Sequence, residues 1–433
     1  MHQPIRGFKD VIDFTESYNA IYNASLLLAK QCGFVEGVMP AVEKASLFER
    51  NLGEESDINL KELYKFNFFD ETLALRPEFT AGIARMISSM DGFCKNHSHK
   101  NGLNLFSFGP VFRHDRPQAG RYRQFFQANF ESYKNSSYLC DVFGIALACN
   151  LLQFLDAFPE KTPQQKQFEV QINTLGSVQT KLKYQDILTE YFTKYKAELS
   201  ADSLVRLQKN PIRILDSKDE ADRKLLANVP QIQNCLSPEE LARIENIISS
   251  LQTIVPSNFA VKHCYDLVRG LDYYTSTVFE IKPANNGLTL LAGGRYDNLI
   301  EQISGGAHNV SAFGFACGVE RLIEFFDINT SSQKGLQVKT LEGLLDSAKN
   351  GKKIAILCMA NSLEVPLVLA KYLKAASQKI VSEGGSFAVF EVQKSLSKTL
   401  TDLSEQGFYG AIIVGKNELQ NPDNFFFEVR VIN

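Results

Sequence analysis

The chain has few cysteines, and their spacing excludes the usual disulfide and zinc frameworks. Eight cysteines are scattered singly over 433 residues, with no C-x-x-C pair and no ladder of even spacings. Such a pattern is typical of reduced thiols in the cytosol rather than of a secreted, disulfide-stabilised protein. We therefore expect a cytoplasmic protein without a structural metal.

No charge of one sign dominates the chain. The formal net charge is only -3. This value argues against a protein that coats nucleic acid indiscriminately, because such proteins are strongly basic. Any contact with RNA would rest on local basic patches.

The sequence predicts neither a leader segment nor a membrane-spanning run. The amino terminus, MHQPIRGFKD, has no apolar run behind a basic start, so it predicts neither a signal peptide nor a membrane-spanning helix. The longest apolar segment, 142–158, carries Asn150, Gln153 and Asp156. These polar positions indicate an amphipathic helix that faces a core, and we expect no membrane association.

Common nucleotide-binding signatures are absent as well. The chain has no G-x-x-x-x-G-K-[ST] loop and no dinucleotide fingerprint after a predicted strand. The ordinary nucleotide folds are therefore disfavoured. A hydrophobic content of 44% at this length predicts a globular protein of two or three domains.

The pattern of helical and strand-like segments predicts five parts. Residues 1–170 alternate helical patterns with β-rich pieces, and 171–257 form a helical insertion rich in Leu, Lys and Glu. Strand character returns over 258–328, where one strand is predicted at 288–291. We expect the first and third parts to share one sheet with adjacent antiparallel strands. A polar linker, 329–351, then leads to a βαβαβ module over 352–433, in which strands are predicted at 353–359 and 410–414.

The most informative stretch is FRHDRPQAGRYRQFFQANFE at 112–131, which places four arginines between two aromatic segments of β type. A guanidinium matches phosphate oxygens with a planar fork of donors, so a hairpin that holds several of them suits a polyphosphate. A solvated, charged surface hairpin is the alternative. The neighbouring aromatics favour strands packed on a core, with the arginines alternating off them. The four arginines are Arg113, Arg116, Arg121 and Arg123.

Two further segments carry polar groups beside predicted turns. In LVRGLDYYTSTVFEI, Tyr273 and Tyr274 point in different directions from an extended backbone, so they could form two sides of one pocket. The alternative is that both are core aromatics. In LRPEFTAGIAR, Pro77 indicates a turn, and Glu78 lies just before a helix with Thr80 as its predicted cap. A carboxylate at that position ordinarily serves the helix dipole or caps the helix.

AGGRYD at 292–297 and AFGFACGVERL at 312–322 complete the set. Gly314 and Gly318 allow another group to approach the strand backbone closely, and Arg321 opens the following helix. Each of these signals is weak alone.

Together the segments resemble a known family. FRHDRPQAGRYRQ is similar to motif 2 of the class II aminoacyl-tRNA synthetases and AFGFACGVERL to their motif 3, while residues 37–47, with Pro40, resemble motif 1 of the dimer interface. LVRGLDYYTSTVFEI, LRPEFTAG and AGGRYDNLI narrow the likeness to the histidyl-tRNA synthetases. The likeness runs from Arg6 to about Phe326 and includes NPIRILDSK at 210–218. The C-terminal module resembles that family's anticodon-binding domain more loosely.

The resemblance implies a class II-type antiparallel sheet flanked by helices, with a helical insertion and a C-terminal α/β anticodon-binding-like domain. In those terms, 1–170 and 258–328 are the two parts of the catalytic core. The implied activity is ATP-dependent ligation of L-histidine to tRNA(His) through a histidyl-adenylate, by a homodimer. ATP is the implied substrate, accompanied by Mg²⁺, and no residue is assigned as a metal ligand.

The resemblance also assigns arginines to ATP. Arg113 would contact the α-phosphate and the histidine carboxylate, Arg121 the γ-phosphate, and Arg321 the far side of the triphosphate. Arg269 would reach the α-phosphate as well. Arg113, Arg269 and Arg321 are therefore the expected catalytic residues.

The remaining assignments concern adenine and histidine. Phe125 would stack on adenine, and Asp115 occupies the place near the adenine amino group where the family usually has Glu. The residues expected around histidine are Glu78 and Thr80 at its amino group, Gln127, and Glu131 with Tyr273 and Tyr274 around the imidazole.

A regulatory protein with the same core is the main alternative. It is the synthetase-like subunit of ATP phosphoribosyltransferase, which usually lacks the C-terminal module and loses ATP-binding arginines. Here the four arginines assigned to ATP are present and a module follows the linker. A prolyl or threonyl enzyme would need a different segment in place of RGLDYY.

Overall fold

The structure is a computed structural model, and it describes most of the chain. The described residues are 3–12, 15–51, 62–95, 102–115, 121–156, 166–269, 273–285, 287–328, 352–359, 366–392, 395–415, 418–419 and 430–432. The predicted linker, Arg116 and residues 270–272 lie outside them.

Eleven α-helices are described before residue 329: α1 (Thr15–Gln31), α2 (Ala45–Asn51), α3 (Thr80–Ser89), α4 (Asp91–Lys95), α5 (Tyr138–Asp156), α6 (Val178–Lys194), α7 (Ala201–Lys209), α8 (Glu220–Leu226), α9 (Pro238–Ile254), α10 (Leu299–Ile303) and α11 (Val319–Phe326). Short 3-10 helices cover Pro211–Asp216 and Ile232–Cys235.

The strands of the same part are β1 (Val35–Glu36), β2 (Val42–Lys44), β3 (Lys65–Phe68), β4 (Glu71–Leu75), β5 (Leu103–Phe112), β6 (Gln124–Tyr133), β7 (Phe168–Thr174), β8 (Phe259–His263), β9 (Thr275–Pro283), β10 (Leu291–Arg295) and β11 (Ala312–Gly318). The C-terminal module contains β12 (Lys353–Met359), α12 (Pro366–Ser382), β13 (Ser386–Val392), α13 (Leu396–Glu405), β14 (Gly410–Val414) and β15 (Arg430–Val431).

One large sheet organises the first 328 residues. Its order is β1-β5-β6-β11-β10-β9-β7-β8, and every pairing from β5 to β7 is antiparallel. The edge strands β1 and β8 pair in parallel. The β6–β11 pairing joins residues about 180 positions apart in the chain, with Glu131 opposite Gly314. The predicted mixed α/β class with a large antiparallel sheet is confirmed, and the two sequence blocks share that sheet.

Strand β6 shows why the sheet has a core face and a site face. Successive side chains of a strand point to opposite faces. Ala128 and Phe130 lie in the hydrophobic core with Ile21 of α1 and Leu151 of α5. The residues that alternate with them project to the other face of the sheet: Phe125, Gln127, Asn129 and Glu131.

The helical insertion lies in sequence between the parallel neighbours β7 and β8. Its last helix, α9, begins with a capping box in which Ser237 and Glu240 satisfy each other's backbone donors. Ile247 and Leu251 of α9 lie in the core of the large sheet. The insertion is thus tied to the sheet, and the domain boundaries given above stay predictions.

The C-terminal module has a four-stranded sheet of order β13-β12-β14-β15. Strands β12, β13 and β14 are parallel, as the βαβαβ pattern predicts, and β15 adds an antiparallel edge. Tyr372 and Leu373 of α12 share a hydrophobic cluster with Leu139 of α5. The module is therefore packed against the main domain.

Helix α5 is long and strongly apolar. Within the described part of the chain it alone has the length and hydropathy of a membrane-spanning helix, and 67% of the relevant window is buried inside the protein. Its buried residues include Val142, Ile145, Cys149 and Leu152. Such burial is typical of a core helix, as the polar positions in the sequence predict.

One strand was predicted in the wrong place. The sequence favours a strand at 288–291, whereas β10 covers Leu291–Arg295. The glycines of β10 give no β-type sequence pattern, but they allow the neighbouring strands β9 and β11 to pack closely on both sides of it. A Cβ on Gly293 would lie 2.2 Å from the carbonyl oxygen of Gly314.

Candidate active site

A cavity of about 560 Å³ opens on the site face of the large sheet. The residues predicted from the sequence that line it are Glu78, Thr80, Arg113, Asp115, Arg121, Phe125, Gln127, Arg269, Tyr273, Tyr274 and Arg321. Of the predicted set, only Glu131 does not line it. Segments that are far apart in the chain therefore meet in one place.

Three arginines crowd one part of this cavity. Arg113 follows β5, Arg121 precedes β6, and Arg321 lies near the start of α11. Burial, and then the nearby guanidinium groups of Arg121 and Arg113, lower the pKa of Arg321. Like charges that approach each other in a partly buried site favour the binding of an anion there. Arg321 is held by a 2.9 Å bond from Nη1 to the carbonyl oxygen of Thr289.

The ends of β5 and β6 hold Arg113 and Arg121 in place. Arg113 Nε donates to the carbonyl oxygen of Pro77 at 2.8 Å, and its guanidinium carbon lies 5.5 Å from the centre of the Phe125 ring. Arg121 Nη1 donates to Asp115 Oδ2 at 3.1 Å. Asp115 is thus engaged by Arg121.

Of the three arginines that the structure describes in the hairpin at 112–131, one points away from the cavity. Arg123 does not line the cavity. Its Nε donates to the carbonyl oxygen of Asp115 at 3.3 Å and its Nη1 to that of Arg6 at 3.2 Å, so it fastens the N-terminal segment to the hairpin. Arg116 lies outside the described residues.

Arg269 enters the cavity beside an acidic partner. Its Nη1 forms an ion pair with Glu280 Oε1, and Thr289 Oγ1 donates to the other carboxylate oxygen at 2.6 Å. Arg269 Nε is buried and has no hydrogen-bond partner. The guanidinium is therefore oriented by Glu280 and keeps a donor for a further ligand.

The start of α3 corrects one prediction. Thr80 was predicted as the helix cap, but it is the first helical residue, and Phe79 at the cap position makes no side-chain cap bond. The carboxylate of Glu78 does the capping, because it accepts from the backbone nitrogens of Thr80 at 2.5 Å and Ala81 at 2.8 Å. Burial raises the pKa of Glu78 despite these bonds.

Thr80 uses its hydroxyl to reach Glu131, which is 1% exposed. Thr80 Oγ1 donates to Glu131 Oε1 at 2.6 Å, Asn129 Nδ2 donates to the same oxygen at 2.8 Å, and the Tyr296 hydroxyl donates to Oε2. Burial raises the pKa of Glu131 to about 8. Since Thr80, Asn129 and Tyr296 line the cavity, Glu131 lies directly behind its floor.

Gly314 explains how Glu131 fits there. A Cβ on Gly314 would lie 1.6 Å from Glu131 Oε2. The sequence predicts a close approach to this glycine, and the approaching group is the carboxylate of the neighbouring strand. For Gly318 the nearest atoms to a Cβ are those of Arg321 at 4.0 Å, which is ordinary contact.

Two tyrosines and an amide form the rest of the floor. The ring centres of Tyr273 and Tyr274 are 4.8 Å apart, and Tyr273 packs edge-on against Tyr296 at 5.6 Å. Both tyrosines of the pair line the cavity and also belong to a hydrophobic cluster. They are therefore pocket-lining residues and core aromatics at the same time. Gln127 Oε1 is buried without a hydrogen-bond partner and is available to a ligand.

Sequence reasoning missed several residues of the site. Asn129 shares a strand face with Gln127, and period-two alternation along β6 was the signal that could have found it. Tyr296 lies in the AGGRYD segment, yet nothing local indicates its bond to Glu131. Arg213 and Lys218 reach the cavity from the insertion. Both lie in NPIRILDSK, the segment that shares the family likeness but that received no assigned role.

Comparisons with known proteins identify the family of the chain. The family model described as Histidyl-tRNA synthetase matches residues 7–322. The histidine–tRNA ligase of Rickettsia bellii is 36% identical over 94% of this chain and 95% of its own length. That of Wolbachia pipientis wMel is 35% identical over 97% of this chain and 93% of its own length.

Solved structures share the fold. The apo histidyl-tRNA synthetase of S. aureus covers 100% of this chain and 97% of its own, with 23% identity and a TM-score of 0.57. A Bacillus halodurans protein, titled both an ATP phosphoribosyltransferase regulatory subunit and a histidyl-tRNA synthetase, covers 95% of this chain and 99% of its own, with 20% identity and a TM-score of 0.53. The family match and the ligase relatives together show that the chain belongs to the histidyl-tRNA synthetase family.

Proposed function

We propose that the chain is a histidine–tRNA ligase, which activates L-histidine with ATP and transfers it to tRNA(His). The observation that carries the proposal is the convergence of Arg113, Arg121 and Arg321 in one cavity. Tyr296 forms part of the floor of this cavity, and Glu131 lies behind that floor. Family membership and the names of its relatives support the same activity.

The first chemical step requires charge to be offset rather than a proton to be removed. The histidine carboxylate is ionised at neutral pH, and it attacks the α-phosphorus of ATP to form histidyl-adenylate and release pyrophosphate. Arg113 and Arg269 would bind the α-phosphate, while Arg121 and Arg321 would bind the outgoing phosphates. Holding the reactants in line and stabilising the developing charge account for the acceleration, so no general base is needed.

Histidine selection would rest on buried polar groups. Glu78 and Thr80 would bind the amino group, and Gln127, Tyr273 and Tyr274 would surround the imidazole. Glu131 would act on the ring through or beside Tyr296, because it lies behind the floor. A substrate without ring N–H groups would leave these partners unsatisfied, which supports discrimination of roughly 10⁴ without editing.

Mg²⁺ is proposed to enter with ATP. Among the described residues no group of three His, Cys, Asp or Glu side chains could hold a metal ion. Among the six carboxylates that line the cavity, Glu280 pairs with Arg269, Asp115 pairs with Arg121, and Glu320 accepts from the backbone nitrogen of Phe126. Mg²⁺ in nucleotide sites is commonly held largely by phosphates and water, and this site fits that mode.

The second step transfers histidine to tRNA(His). The 3′-hydroxyl of the terminal adenosine would attack the adenylate, and the residues of the cavity do not single out a proton acceptor. A phosphate oxygen of the adenylate is our hypothesis for that role. The C-terminal module would bind the anticodon, and the protein would act in the cytoplasm.

A homodimer is the proposed assembly. Apolar side chains are exposed on or beside the three-stranded sheet β2-β4-β3, and Val38 and Phe69 are each 89% exposed. Exposed apolar patches of this kind mark association surfaces. Val38→Asp should give a monomer in light scattering, whereas Val178→Asp, at a half-exposed position on α6, should leave the dimer intact. A wild-type monomer would refute the proposal.

The regulatory-subunit alternative is less supported. It predicts binding of a partner enzyme without amino-acid activation, and the four arginines assigned to ATP have no role in it. The ligase relatives also cover nearly the whole chain, including the C-terminal module.

One experiment separates the two functions. Purified protein is incubated with ATP and labelled pyrophosphate, with and without L-histidine. A ligase exchanges label into ATP only when histidine is present, and then charges tRNA(His). Absence of histidine-dependent exchange, with an active control enzyme, would remove the ligase proposal.

A further inference from the structure

Arg76 lies between the active-site cavity and the exposed apolar face described above. Its side chain is only 6% exposed and does not line the cavity. Nη1 donates to the carbonyl oxygens of Met39 at 2.6 Å and Pro40 at 3.3 Å, and Nε donates to that of Pro110 at 2.8 Å. One guanidinium therefore joins the segment resembling motif 1 to the end of β5.

The backbone of Arg76 makes the same connections. Its nitrogen donates to the carbonyl oxygen of Ala41 at 2.9 Å, and its carbonyl oxygen accepts from the nitrogen of Phe112 at 3.0 Å. The guanidinium carbon also lies 4.2 Å from the centre of the Phe79 ring. Side chain and backbone together hold three chain segments in one arrangement.

Two of these segments carry active-site groups, and the third carries the apolar face. Phe79 is flanked by Glu78 and Thr80, and Phe112 directly precedes Arg113, which itself bonds to Pro77. Residues 38–42 include Val38 and Val42, two exposed residues of the apolar face. A shift of 38–42 would therefore reach both the histidine-binding loop and the α-phosphate arginine.

We infer that Arg76 is a positioning residue that couples the apolar face at 38–42 to the active site. A second copy that covers this face would fix the positions of the Met39 and Pro40 carbonyls. Arg76, which is bonded to them, would then hold the segments that carry Glu78 and Arg113 in their active positions. A buried guanidinium satisfied by backbone carbonyls is sensitive to their geometry, because a lost acceptor leaves the charge unpaired. The inference rests on the proposed function, and Arg76 has no role in the chemistry proposed for the cavity.

Arg76→Met tests the coupling, and Arg85→Met is its matched control. Arg85 also links α3 to the motif 1 region, since its Nε and Nη2 donate to Glu43 Oε1 at 3.0 and 2.7 Å. It does so away from the loop that holds Glu78. We expect Arg76→Met to raise the histidine KM and lower the exchange kcat, each at least about tenfold, at protein concentrations where the dimer is complete. Arg85→Met should stay within about threefold of wild type.

A second variant leaves the arginine in place. A Cβ on Gly109 would lie 2.9 Å from Arg76 Nη2 and 3.5 Å from Phe79 Cζ. Gly109→Ala should push the guanidinium aside and change KM and kcat in the same direction as Arg76→Met, by a smaller factor. It decides the matter if Arg76→Met does not fold, and a wild-type KM and kcat for Gly109→Ala would then overturn the inference.

The coupling also predicts the behaviour of the monomer. Val38→Asp should raise the histidine KM as Arg76→Met does, and the double variant should add little to either change. Full recovery of Arg76→Met at high protein concentration, or kinetics equal to those of Arg85→Met, would overturn the inference while wild type remains active. A wild type without histidine-dependent exchange would overturn the proposed function first.

Discussion

Replacing Glu131 by Gln gives a test whose magnitude follows from the structure. Burial raises the pKa of this carboxyl from 4.5 to about 8. The folded protein therefore binds a proton that the unfolded chain releases between these two pH values. Stability that is fully present below pH 4.5 is accordingly lost as pH rises towards 8.

The loss of unfolding free energy follows from the size of the pKa shift. Each pKa unit corresponds to about 1.4 kcal/mol. Wild type should lose about 3 kcal/mol of unfolding free energy through Glu131 between pH 5.5 and 8, and Glu131→Gln should lose none of it. The variant should thus gain stability relative to wild type by about that amount as pH rises, because all other titrating groups are common to both proteins.

Urea titrations at several pH values measure this difference. Circular dichroism is the suitable signal, since the chain has no tryptophan. A difference in unfolding free energy that does not change from pH 5.5 to 8 would refute the burial argument. Histidine activation by the variant should fall below that of wild type above pH 8, where Glu131 is ionised and a neutral amide replaces its charge behind Tyr296; equal activity there would refute the role given to the carboxylate.

Further predictions concern the cavity. Arg269→Ala should reduce the rate of adenylation about 100-fold, the typical cost of a lost charge-stabilising donor, with a much smaller effect on histidine binding; equal losses in exchange kinetics and in calorimetric binding would contradict its role. Glu280→Gln should lower kcat less than Arg269→Ala, since it frees the guanidinium without removing it; a larger loss would show another role. Gly314→Ala should raise the histidine KM, because its Cβ would meet Glu131 Oε2 at 1.6 Å; an unchanged KM would show that Glu131 does not shape the pocket.

Patterns that recur along the chain predicted much of the fold. Strand β6 alternates apolar and polar residues, so both its existence and its site face follow from period two. The strands β12 and β14 were predicted with the bounds that the structure gives them. The glycine-rich β10 was misplaced, since glycine and alanine carry no β-type pattern and their role is to permit close pairing.

Local reasoning was less successful with individual polar groups. Thr80 has the chemistry of a helix cap, but Glu78 takes that role and Thr80 turns to Glu131, a residue 51 positions away in the chain. Arg123 looked equivalent to Arg121, yet its side chain bonds to the N-terminal segment. Which way a polar side chain points depends on partners that only the tertiary structure brings near.

A crystal structure with L-histidine and a non-hydrolysable ATP analogue tests the central claim most directly. We predict the α-phosphate within about 3.2 Å of the guanidinium groups of Arg113 and Arg269, which is hydrogen-bonding distance. The imidazole should lie over Tyr296, with the triphosphate extending towards Arg321. Phosphates bound elsewhere, or a histidine ring outside this cavity, would contradict the account.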